Sequence, residues 1–117
     1  MSDVDITAVP TRDALVLRLT GELDAVTSPS CRTSLSAVVA ELPPPSLVVL
    51  DLRDVPFCGA AGARALAEFS ADCYGRAVRV CLVAQPDSAV ARIIDLVGLR
   101  DRVPVVGDPE LATRRYA

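Results

Sequence analysis

The chain has 117 residues, 51% of them apolar, which suits one domain around one hydrophobic core and leaves no room for a second. Charged residues make up 23%, with a formal net charge of -3, so general binding of nucleic acid by phosphate neutralisation is not expected. All 12 cations are arginine, and neither lysine nor histidine occurs, which removes the usual general base, the usual nitrogen ligand for metals and the amine of a Schiff base.

The start, Met1-Ser2-Asp3-Val4-Asp5, is acidic and lacks the basic and apolar regions of a secretory signal. No apolar run nears the roughly 20 residues needed to cross a bilayer. A soluble, cytoplasmic protein without membrane insertion is expected. Val4 to Val9 and Ala14 to Thr20 read as antiparallel strands joined by a tight turn at Pro10-Thr11-Arg12-Asp13. After Gly21-Glu22-Leu23-Asp24, Ser28 is placed to cap a helix with Pro29 in its first turn. Cys31, Leu35, Val38, Val39 and Leu42 form one apolar stripe along it, and Pro43-Pro44-Pro45 stops it.

Leu47 to Leu50 is continuously apolar, with β-branched Val48 and Val49 at its centre, as in a central strand covered on both faces. Asp51 is expected after this strand and Asp54 at a turn. The segment Cys58-Gly59-Ala60-Ala61-Gly62 then opens a second helix through small residues, leaving backbone N–H groups approachable at its start. In that helix Gly62, Leu66, Phe69 and Cys73 face inward, Arg64, Glu68 and Asp72 stand outside, and Gly75 ends it. Ala77 to Ala84 reads as a buried strand. Pro86-Asp87-Ser88 starts a third helix, with Val90, Ile93, Ile94 and Val97 inward and Gly98 as a left-handed terminator. Val103 to Val106 forms a short strand, and Asp108-Pro109-Glu110 opens a last helix. The order ββαβαβαβα predicts an α/β fold: a mixed, mostly parallel sheet with helices packed on it.

The residues Leu19-Thr20-Gly21-Glu22-Leu23-Asp24, Val48-Val49-Leu50-Asp51-Leu52, Val55-Pro56-Phe57 and Val97-Gly98-Leu99 together resemble the STAS domains, and within them the bacterial anti-sigma factor antagonists. The resemblance covers nearly the whole chain. It implies a single STAS domain, residues 1–117, acting in transcription regulation by protein–protein contact. In the family the turn before the second helix reads Asp-Ser-Ser-Gly or Asp-Ser-Thr-Gly, and a partner that is both anti-sigma factor and serine kinase phosphorylates a serine there. The unmodified antagonist binds that partner and frees a sigma factor; the phosphorylated form lets go. This chain has Gly59-Ala60-Ala61-Gly62 at that place, without a hydroxyl. The resemblance therefore implies an antagonist that engages an anti-sigma factor without the usual switch, through Asp24, Cys58, Gly59, Ala60, Ala61, Gly62 and Arg64.

Other readings of the same residues stand beside this one. Cys58, just before a helix start, is placed for a lowered thiol pKa and redox control, whereas Cys31, Cys73 and Cys81 sit at packing positions. The cysteines lack metal-cage or C-x-x-C spacing. Gly59 to Gly62 exposes amides suited to a carboxylate or phosphate, as in a ligand-binding or lipid-transport accessory STAS subunit, but lacks the lysine and glycine spacing of a nucleotide fingerprint. No cofactor is implied. No serine, cysteine or aspartate is paired with a recognisable base, so an enzyme is not expected.

Overall fold

The computed structural model describes residues 3–43 and 46–117. Met1, Ser2, Pro44 and Pro45 lie outside the described residues, so only Pro43 of the expected proline stop can be placed. The elements follow the expected order: β1 (Asp5–Pro10), β2 (Leu15–Thr20), α1 (Ser28–Val39), β3 (Ser46–Asp54), α2 (Ala60–Tyr74), β4 (Val78–Val83), α3 (Ala89–Leu96), β5 (Val105–Val106) and α4 (Pro109–Tyr116). A short 3-10 turn over Leu99–Asp101 is added between α3 and β5.

The five strands form one sheet in the order β1-β2-β3-β4-β5. Only β1 and β2 pair antiparallel; every other pair is parallel. The hairpin closes where the Thr11 amide donates to the Ala14 carbonyl at 2.9 Å. In β3, alternate side chains enter two separate apolar layers. Val48, Leu50 and Leu52 meet Cys31, Leu35, Leu66 and Phe69 of α1 and α2, while Leu47 and Val49 meet Ala112 and Tyr116 of α4. A strand covered on both faces accommodates apolar residues at every position, which explains the unbroken run. The inward stripe expected for α2 faces this core, as does that of α1 up to Val39, where the helix ends before Pro43, so Leu42 packs on the core from beyond it.

Several local expectations need correction. The α1 cap is Thr27 rather than Ser28, whose hydroxyl is buried without a partner among the described residues. Asp51 lies inside β3 rather than after it, and Asp54 is its last residue. Burial alone would raise the Asp51 carboxyl. The Arg53 side chain, with Nε at 2.9 Å and an amine at 2.8 Å, outweighs that and holds its pKa below the ordinary value. Gly75 closes α2 in right-handed geometry, and the left-handed residue of this turn is Ala77, with φ 59°. Val97 is 48% exposed, not inward, because α3 ends at Leu96. Gly98, left-handed as expected at φ 73°, then swings Leu99 into the core instead.

Candidate functional site

The corner before α2 is tied to the loop that leaves β2. Leu23 and Cys58 form an isolated parallel bridge: the Leu23 amide donates to the Phe57 carbonyl, and the Gly59 amide donates to the Leu23 carbonyl, both at 2.9 Å. Two segments more than thirty residues apart are thereby locked side by side. Gly62, in the first turn of α2, sits against the same point. A Cβ there would lie 2.7 Å from the Leu23 carbonyl oxygen, 2.8 Å from the Leu23 Cβ and 2.9 Å from the Cys58 Sγ. Gly62 therefore serves close packing of helix on bridge, and it is buried.

Asp24 continues the loop. Its Oδ1 accepts from the amides of Thr27 and Val26, both at 2.9 Å, and the Thr27 backbone bond above all keeps its carboxyl below the ordinary range. Thr27 Oγ1 donates to the Glu22 carbonyl at 2.6 Å and accepts from the Asp24 amide at 3.1 Å. This network shapes the loop so that Val26 stands out into solvent, 74% exposed.

The expected site residues divide into two layers. Ala60 and Arg64 are exposed, and Gly59, Ala61 and Asp24 are half-buried. Cys58 and Gly62 are buried beneath them and offer nothing to a macromolecule directly. Gly59 caps α2 in an extended conformation without a side-chain hydrogen bond. Arg64 stands between two shallow grooves. One, of about 210 Å³, is lined by Ala60, Ala67, Val97 and Arg102; the other, of about 250 Å³, by Ala25, Pro29, Ala61 and Glu68. Among the described residues Arg64 forms no ion pair. Glu68 and Asp72 instead face Arg32 of α1, at 3.6 and 2.8 Å.

Sequence reasoning did not single out Val26, Phe57 and Val97 as surface residues, yet they are 74%, 46% and 48% exposed and border this face. Val26 and Phe57 carried a signal, each being apolar within a segment of turn-forming residues. The lowered thiol pKa expected at Cys58 is reversed: burial pushes it up to about 11, against any pull from the helix start. Burial likewise raises Cys31, Cys73 and Cys81 to about 11, and all four thiols are free. Ellman's reagent at pH 8 should leave the four unreacted for as long as the fold persists and titrate them at once in guanidinium. Rapid labelling of Cys58 in the native protein would contradict this burial.

The STAS domain family matches residues 5–112, which is most of the chain. The chain belongs to the STAS domain family. This STAS domain is 32% identical over 96 residues to the anti-sigma-F factor antagonist RsfB of Mycobacterium tuberculosis, covering 82% of the chain and 75% of that protein. A crystal structure of an anti-sigma factor antagonist from Mycobacterium paratuberculosis superposes with a TM-score of 0.81 at 30% identity, covering 95% of this chain and 94% of the other. The anti-sigma factor antagonist SpoIIAA in its unphosphorylated form shares the fold, with a TM-score of 0.72 at 20% identity over 94% and 95% of the two chains. Among the described residues no helix is long and apolar enough to cross a membrane.

Proposed function

We propose that this STAS domain is a non-catalytic antagonist of an anti-sigma factor, docking through the α2 corner and freeing a sigma factor without phosphate-controlled release. The observation that carries the reading is the start of α2, where the exposed Ala60 and half-buried Ala61 supply methyl groups within a face that stays open. Phosphorylation by a serine kinase requires a hydroxyl acceptor, and neither residue has one. The curated relative and the 30%-identical structure, both antagonists by name, support the partner class. The exposed Phe57 and Arg64 support a protein partner, since aromatic residues and arginine are enriched at protein contacts, and the exposed Val26 and Val97 add apolar area.

The test is binding of the purified chain to immobilised anti-sigma factors of the serine-kinase type from the same cell, with and without ATP. A complex indifferent to ATP is expected, weakened about tenfold or more by Arg64→Glu or Val26→Asp, because both residues are exposed and neither supports the core. No complex with any candidate, or one untouched by both substitutions, overturns the reading.

A further inference from the structure

A mainly apolar cavity lies away from Ala60 and Phe57, along the outer edge of β4. It encloses about 440 Å³. The C-terminal half of α2 forms one wall through Ser70, Ala71 and Tyr74, and Val103 and Pro104 close one end. Tyr116 of α4 meets it from the other face of the sheet. Its floor is the strand itself, Val78 to Val80.

That floor is an unpaired strand edge, for a definite reason. β5 pairs only with Leu82 and Val83. In its register the Leu82 amide donates to the Pro104 carbonyl at 2.9 Å and the Ala84 amide to the Val106 carbonyl at 3.0 Å. The preceding rung of a parallel ladder needs the residue at 104 to donate to the Val80 carbonyl. Proline has no N–H, so the ladder stops there. The same alternation directs the Val80 backbone groups outward into the cavity, with no strand beside them.

The charge of the cavity is opposite to that of the chain. Arg79 and Arg102 line it, no Asp or Glu does, and neither arginine is in an ion pair among the described residues. The formal net charge of the protein is -3. An alkyl chain in the cavity would cover the outward Val80 amide and carbonyl without a partner, at a cost of about 1–3 kcal/mol per group. An extended backbone would satisfy both.

We infer that the β4 edge is a second docking groove, which takes an extended segment of a partner protein as an added strand, with acidic side chains or a terminal carboxylate on Arg79 and Arg102. Backbone pairing with Val80 supplies registration. The apolar walls take alternate side chains of the guest, and the two guanidiniums select its charge. The groove is independent of the α2 corner: its occupancy needs no anti-sigma factor, and the corner can fail while the groove holds.

Panning a random heptapeptide display library against the full chain tests this. Selected peptides should be rich in Asp or Glu beside β-branched or aromatic residues, and in ¹⁵N spectra they should slow hydrogen exchange at Val80. Arg79→Glu and Arg102→Glu, both at exposed positions, should each weaken them about tenfold, and Ala71→Trp should block them. Four outcomes overturn the inference: no enrichment over an unrelated protein, peptides that ignore all three substitutions, displacement of the peptides by sodium dodecanoate, or sedimentation showing that the edge is already covered by a second copy.

Discussion

Gly62→Ala is expected to destabilise the protein by about 1–3 kcal/mol, although alanine is the better helix former by about 1 kcal/mol. The new methyl meets the Leu23 carbonyl oxygen at 2.7 Å, and that oxygen already accepts the Gly59 amide at 2.9 Å. Neither neighbour can yield freely. The first is backbone fixed by the Leu23–Cys58 bridge, and the Leu23 side chain is 1% exposed. Relief therefore requires α2 to lift from the bridge, which also displaces Ala60, Ala61 and Arg64 on the outer layer. Gly59→Ala provides the control. Its φ of -88° suits any residue, and its Cβ would touch the Phe57 ring at an ordinary 3.4 Å, so the loss should stay under about 1 kcal/mol. Guanidinium unfolding of the two variants measures the difference. A neutral or stabilised Gly62→Ala would show that helix and bridge are not in close contact.

Ala60→Ser is expected to turn an unswitched protein into a switched one. With a serine-kinase anti-sigma factor and ATP, the variant should take up one phosphate, and the modified form should lose affinity by about 100-fold, while the unmodified variant binds within about twofold of the native chain. The physical basis is local. A phosphate at position 60 would stand at the uncapped start of α2 and one turn before Arg64, so the helix amides and the guanidinium would both draw it inward. The fold is thereby spared, and Arg64 is withdrawn from a partner. Phosphate uptake and dissociation are measured together by mass spectrometry and surface binding. A stoichiometrically phosphorylated variant that remains in the complex would move the docking face away from this corner.

The legible parts of the fold were those written in single segments. Gly98 and Asp108 end and begin their helices as their residue types predict, and the run Leu47 to Leu50 sits in the middle of the sheet. The α1 cap was misplaced because Ser28 and Thr27 are equally suitable chemically, and the loop network around Asp24 and Glu22 decides between them. Val97 has the spacing of an inward residue, and a helix that ends one residue before it leaves it in solvent. The site was half legible. The missing hydroxyl at Ala60 and Ala61 is a matter of residue type, as is the inward place of Gly62, but the bridge to Leu23 that buries Cys58 beneath them is not.

Residue order by itself determined the alternation of strands and helices, the family likeness and the absence of a hydroxyl at Ala60 and Ala61, because each rests on local pattern or side-chain identity. Only the tertiary structure decided what each small residue does. Leu23 packs against Cys58 and Gly62, so a thiol that one reading made reactive is buried, and an inward glycine also read as a docking residue becomes the contact point of a helix. The open β4 edge has the same origin. Pro104 reads in isolation as part of a short strand from Val103 to Val106, and its missing N–H matters only because its carbonyl pairs with Leu82 and the rung it would donate to is Val80. Burial and strand pairing depend on which distant segments meet, and no local pattern carries that information.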